Sequence, residues 1–176
     1  MTNADQQEFE AIYRENYSRL FAFLHRLTGD WHLTEELTQE TFFQAFRSYG
    51  SFRGQCQLFT WLAGIARHVF YRHLRRCRLQ ADAVCPDAVA DAWLAAQADP
   101  APGVPEQAER AAVCRAVREL VRTLSPRYRD VVMLRLYAGL PFAQVAAALH
   151  ISEGSAKVLY FRAREKLARQ LRELYG

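Results

Sequence analysis

Apolar residues recur at helical spacing along most of the chain. From Gln6 to Thr28, Phe9, Ile12, Tyr13, Leu20, Leu24 and Leu27 mark one amphipathic helix, which Gly29 stops by accepting left-handed backbone. Asp30 is placed to cap a second helix, in which Leu33, Leu37, Phe42, Phe46 and Tyr49 face inward while Glu35, Glu36, Gln39, Glu40 and Gln44 stay outside. Gly50 and Gly54 bracket the loop that follows. A third helix begins near Thr60, buries Trp61, Leu62, Ile65, Ala66 and Val69, and runs on into Arg72, Arg75, Arg76 and Arg78. Further on, Val113, Val117, Leu120 and Leu124 mark another helix, and Ser125-Pro126 gives an N-cap followed by proline at the first helical position. Gly139 closes that helix, Pro141 opens a short one through Leu149, and Ser152 caps a last one carrying Ala156, Tyr160, Ala163, Leu167 and Leu171.

The alternating pattern of a strand is absent, so the expected fold class is all-α. Between Gln80 and Pro105 the chain changes character: it has no Lys or Arg, it carries Asp82, Asp87, Asp91 and Asp99, and it places prolines at 86, 100, 102 and 105. That composition predicts a flexible linker, dividing the chain into a helical domain at 1–79, a linker at 80–105 and a second helical domain at 106–176. With 51% hydrophobic residues in 176, both domains have material for a core.

The formal net charge of +4 is only mildly basic, so any case for nucleic acid rests on where the charge sits. The N-terminus, with Asn3, Asp5, Glu8 and Glu10, lacks the basic and apolar regions of a secretion signal, and no apolar run approaches a membrane span. Cys56, Cys77, Cys85 and Cys114 lie far apart without a CxxC, which argues against a disulfide framework or a finger-type zinc site and for a reducing, cytoplasmic setting. His73 and Cys77 lie one helical turn apart, but no second pair follows, and no cofactor is expected. A phosphate loop, a metalloprotease motif and a nucleophile triad are all missing, so the chain is not read as an enzyme.

Two segments suit DNA. In Pro141 to Lys166, Val145, Ala146 and Leu149 form an inner face, Ile151 plugs a turn, and Ala156 is small enough for a close helix crossing, as a helix-turn-helix requires. The outward side of its second helix carries Ser155, Lys157, Val158, Phe161, Arg162 and Arg164, where arginine can read guanine or clamp phosphate. A basic surface helix in an ordinary bundle is the alternative. On the third helix, His68, Tyr71, Arg75 and Arg78 succeed one another by three or four residues, with Arg67, Arg72 and Arg76 beside them and no acid within the run. Such a stripe is self-repelling without a polyanion, although a helix C-terminus accounts for two or three of its arginines. The loop just before it mixes Phe52, Arg53, Gln55, Gln57 and Phe59, a composition suited to bases drawn out of a stack, although Phe52 and Phe59 themselves, like Trp61, are read as core.

The runs Leu33-Thr-Glu-Glu-Leu-Thr-Gln-Glu-Thr-Phe42, Phe52-Arg-Gly54 and Trp61-Leu-Ala-Gly-Ile-Ala-Arg67 resemble region 2 of the extracytoplasmic-function sigma factors. Leu124-Ser-Pro-Arg-Tyr-Arg129, Gln144-Val-Ala146, Ile151-Ser-Glu-Gly154 and Phe161-Arg-Ala-Arg164 resemble their region 4. The resemblance implies a factor that binds bacterial core RNA polymerase through Glu36, Gln39 and Glu40. It implies capture of a flipped base of the melted minus-10 element by the loop from Phe52 to Leu58, and reading of the minus-35 duplex by the helix-turn-helix. An anti-sigma partner is a family-level expectation, and the polymerase supplies the chemistry. Three positions depart from the pattern. His68 stands where the family often has Asn, Val158 and Leu159 replace polar or basic groups, and His150 takes a turn position usually held by Gly. A free-standing helix-turn-helix regulator, using its N-terminal domain for dimerisation or sensing, is the other reading.

Overall fold

The computed structural model describes the backbone of residues 3–83 and 105–175, and the side chains of residues 7–79 and 110–175. The predicted linker, including Cys85 and the prolines at 86, 100 and 102, lies outside the described residues apart from its two ends. Seven α-helices are described: α1 (Asn3–Thr28), α2 (Trp31–Ser48), α3 (Leu58–Ala83), α4 (Pro105–Thr123), α5 (Pro126–Val132), α6 (Phe142–Leu149) and α7 (Glu153–Tyr175). No strand occurs among the described residues.

The local signals act where the sequence puts them. Gly29 takes φ 71° after α1, and the Asp30 carboxylate accepts the Leu33 N–H at 2.6 Å, satisfying one of the orphan donors at the start of α2. Ser152 does the same for the Ser155 N–H at 3.1 Å. Ser125 takes the N-cap position of α5 with Pro126 behind it, but its side chain makes no capping bond, so the proline's fixed φ and missing N–H carry the restart. Helix α3 begins two residues earlier than the pattern suggested and continues through Ala83, into the segment read as linker.

The N-terminal module packs α1 against α2 and α3 around Leu20, Phe23, Leu24, Leu37, Phe42, Leu62 and Ala66, all essentially buried. Burying each large side chain stabilises the fold by about 1.5–3 kcal/mol. Threonines 28, 34, 38, 41 and 60 are buried as well. Thr38 and Thr41 donate to the carbonyls of Thr34 and Leu37 four residues back, at 2.7 and 2.6 Å, which removes the penalty of an unpaired hydroxyl.

In the C-terminal module α7 packs across α5 and α6 and meets α4. Between α5 and the Gly139 turn, Met133–Tyr137 widens into one π turn, its Ala138 N–H bonding back to Met133 O at 3.0 Å. The two modules are not separate bodies joined only by a linker. Val131, Met133, Leu134, Leu140 and Val145 belong to one apolar cluster with Leu24, Phe59, Leu62 and Val69 of the N-terminal module. Arg26 donates to Tyr137 O at 2.9 Å, and the Arg118 guanidinium lies on the face of Gly29, where a Cβ would come within 1.4 Å of it.

Candidate nucleic-acid interface

Helix α3 presents its predicted stripe in two halves with different surroundings. Arg75, Arg76 and Arg78 are exposed at its C-terminal end. Arg72 is also exposed but forms an ion pair with Glu40 of α2 at 2.5 Å. Higher up, Arg67 and Tyr71 are covered by α5. The Arg67 guanidinium pairs with Asp130 at 2.7 Å, the Tyr71 hydroxyl donates to the other Asp130 oxygen at 2.6 Å, and the Arg129 guanidinium lies 5.2 Å from the Tyr71 ring centre. Both members of the ion pair are largely buried, with side chains 14% and 17% exposed, so water screens the pair far less than a surface one. No acid interrupts the stripe in sequence, yet two of its cations are neutralised from elsewhere in the fold.

Electrostatics follow this geometry. Burial is the largest cause pushing the Tyr71 phenol well above its usual range, and the bond to Asp130 with that residue's negative charge adds to it. His68 is shifted down, first by partial burial and then by the neighbouring Arg67 charge, which outweigh the opposing pull of Asp130. The Arg67 Nη2 and His68 Nε2 atoms lie 3.1 Å apart.

Ahead of α3, residues Tyr49–Ser51 form a 3-10 turn and Gly54 takes φ 67° with open space around it. Arg53, Gln55 and Gln57 are exposed. Phe52 is half-buried, tilted against Trp61 at 5.0 Å and stacked on Tyr49 at 6.5 Å, while Phe59 is buried beneath Arg19, whose guanidinium is 3.7 Å from the ring centre. The loop and His68 line a cleft of about 540 Å³ whose far wall is Ala147, Ala148 and His150 of the C-terminal module.

On α7, Ser155, Lys157, Val158, Phe161, Arg162 and Arg164 are all exposed, and Val145, Ala146 and Ala156 are buried where the helix crossing needs small groups. Lys157 is held by Glu153 at 2.8 Å, and Phe161 rests 6.4 Å from Phe142. His150 takes the left-handed conformation expected of that turn, at φ 54° and ψ 44°. A second cleft, of about 790 Å³, joins Gly154, Ser155 and Val158 to Arg67, Arg127 and Asp130. The structure thus turns the N-terminal end of α7 toward Arg67 on α3.

The three residues expected to meet a protein partner lie together on α2. Glu36 and Gln39 are exposed, whereas Glu40 is half-buried and holds both Arg72 and, at 2.8 Å, the Gln44 amide. They line a groove with Phe43, Arg72, His73 and Arg76. Phe43, at 56% exposure, was not anticipated from sequence, although its place one helical turn beyond Gln39 and Glu40 was visible. His73 Nε2 lies 3.3 Å from Cys77 Sγ, and among the described residues no group of three metal-ligating side chains forms. Cys56, Cys77 and Cys114 are free thiols, and no described helix is long and apolar enough to cross a membrane.

Comparison with known proteins decides between the two readings of these surfaces. Residues 12–80 match the family description Sigma-70 region 2, and residues 114–167 match Sigma-70, region 4. The chain belongs to the sigma-70 family. It is 32% identical over 164 residues to the ECF RNA polymerase sigma factor BldN of Streptomyces coelicolor, covering 93% of this chain and 60% of that relative's length. It is 27% identical to the ECF RNA polymerase sigma factor SigW of Bacillus subtilis, covering 97% and 92% of the two chains. Among solved structures it resembles the sigma factor RpoE of Bartonella quintana, solved with the anti-sigma factor NepR, at a TM-score of 0.65 and 21% identity over 94% of this chain and 98% of that one. A region 2 match on the N-terminal module leaves the free-standing regulator without support.

Proposed function

We propose that this chain binds bacterial core RNA polymerase and directs it to specific promoters, acting in the cytoplasm. The observation that carries this reading is the presence of region 2 and region 4, in order, on one chain. In this reading Glu36, Gln39 and Glu40 dock on the polymerase. Phe52, Arg53, Gln55 and Gln57 take up the melted minus-10 strand with His68 and Tyr71, and Arg72, Arg75, Arg76 and Arg78 hold its phosphates. Ser155, Lys157, Val158, Phe161, Arg162 and Arg164 address the minus-35 duplex. Arginine supplies phosphate or guanine contacts there, and the apolar Val158 and Phe161 suit thymine methyl groups.

The factor itself performs no bond chemistry and needs no cofactor. Its contribution is binding free energy for the separated strand, which offsets the few kcal/mol of unstacking and unpairing that melting requires. An anti-sigma protein is a further expected partner, since the RpoE relative was solved bound to one. Co-elution of the purified chain with core RNA polymerase, challenged by a known sigma factor, tests the proposal. A stoichiometric complex that the competitor displaces is the expected result, and absence of any complex would refute it.

A further inference from the structure

We infer that the cavity between the end of α1, α4 and the π turn is a binding site for a small monocarboxylate with an apolar body, its carboxylate held by Arg26 and Arg118. The site is separate from the surfaces assigned to polymerase and DNA, none of whose residues lines it. Its volume of about 450 Å³ falls within the range of small-molecule sites. Val113 and Val117 of α4 and Leu136 of the π turn give it apolar walls, and Leu136 is left 49% exposed there. Arg26 and Arg118 line it too, and neither forms an ion pair with a described residue; Arg26 donates instead to the Tyr137 carbonyl at 2.9 Å. His25 is the remaining titratable group from α1, and no described acid lines the cavity. The carbonyl end of α1 opposes an anion, but it carries only about half an elementary charge against the two full charges of the guanidinium groups.

A second observation points to a missing partner. The Tyr137 hydroxyl is buried and has no hydrogen-bond partner, a state that native proteins rarely leave unfilled. Burial is the largest cause raising its pKa, against the opposing charges of Arg118 and Arg122 and with Cys114 adding to the rise, so at neutral pH the phenol is a donor. Arg118 and Cys114 line the same cavity. A carboxylate drawn between the guanidinium groups supplies the acceptor that this donor lacks, and a guanidinium fork takes both carboxylate oxygens at once. A single charge suits the site better than a phosphate dianion, because beside apolar walls each further charge is costlier to strip of water.

Cys114 is an exposed thiol lining this cavity and reports on its occupancy. The test follows alkylation of Cys114 by iodoacetamide in the full chain against rising octanoate, read by peptide mass spectrometry, with Cys56 in the loop before α3 as internal control. Octanoate is expected to slow alkylation of Cys114 and leave Cys56 unchanged. Octanol has the same chain without the charge and acetate the charge without the chain, and each should protect roughly tenfold more weakly. Tyr137→Phe, which removes only the hydroxyl, and Arg118→Gln should each raise the octanoate concentration for half-protection about tenfold, as for one lost charge-assisted hydrogen bond. Arg118→Lys, which keeps the charge, recovers part of that loss, and far-ultraviolet circular dichroism checks that each variant is folded. Equal protection by octanol would reduce the site to an apolar crevice, and equal protection by acetate to a general anion site; either would overturn the proposal. So would equal slowing at Cys56, no slowing at Cys114 below the concentration at which octanoate forms micelles, or native half-protection in folded Tyr137→Phe or Arg118→Gln.

Discussion

At His150 the backbone adopts φ 54° and ψ 44°, a region that a side chain makes costly and that glycine enters freely. The His150→Gly variant is expected to gain about 1 kcal/mol, read as a higher urea midpoint at unchanged slope. A lower midpoint would show that the imidazole contributes packing in the cleft between the modules. His73 carries a pH dependence. Burial is the main cause of its lowered pKa, with Arg76 and Arg122 acting in the same direction and Glu36 against them, while Cys77 lies beside the ring. The folded state therefore binds this proton less readily than the unfolded chain, so stability falls as pH drops through the usual histidine range near 6.5. Replacing His73 with Gln should flatten the loss of stability between about pH 7.5 and 5.5 in urea titrations; an unchanged slope would place the dependence on other groups. Caps and turns at this scale were legible because each acts within a few residues of itself: Asp30 and Ser152 through side chains that accept nearby N–H groups, Gly29 and Gly139 through their own left-handed backbone. The buried threonines were not, since a hydroxyl that bonds its own helix four residues back is polar in sequence and apolar in effect.

Helices α2 and α3 carry acid and base on facing sides, and the Glu40–Arg72 pair ties the surface assigned to polymerase to the one assigned to DNA. Polymerase docking and phosphate binding should separate only for residues outside that pair. Replacing Glu36 and Gln39 with Ala is expected to weaken competition for core polymerase while leaving the α7 surface folded, and normal competition would mean the docking face lies elsewhere. Replacing Arg75 and Arg78 with Ala should weaken promoter opening and reduce the slope of log affinity against log salt by about 1 for each phosphate that is no longer neutralised. A salt slope identical to the native one would show that these exposed arginines do not touch phosphate. The order and type of the helices were readable from periodicity, and so was which face of α7 is exposed. The π turn at Met133–Tyr137 was not, because one widened turn slips the apolar register by a single residue without a glycine or proline to mark it. The partners of the stripe were equally hidden: Glu40 and Asp130 lie 32 and 63 residues away in sequence from the arginines they neutralise.

For the whole molecule, the decisive feature is that both modules contribute to one apolar cluster. The sequence divides into two domains because the composition changes sharply after Gln80, but inward-facing residues look alike whether they pack within a module or across a boundary. Leu134 is fully buried in the C-terminal module and shares that cluster with Leu24, Phe59 and Leu62 of the N-terminal one. Trp31 and Trp61, by contrast, both belong to the N-terminal module and report on it by fluorescence in a Trp93→Phe background. If the boundary couples the modules, Leu134→Ala, which should remove about 2–5 kcal/mol by leaving a cavity, will shift the tryptophan transition as far as the circular dichroism transition. If the modules unfold independently, circular dichroism will split into two steps and the tryptophan midpoint will stay where it is in the native chain. Adding Asp130→Asn refines this outcome, because breaking one partner out of a mostly buried ion pair leaves the Arg67 charge uncompensated at the boundary. The coupled transition should then separate, with the C-terminal step lower, since the closed arrangement depends on that pair as well as on the shared apolar surface.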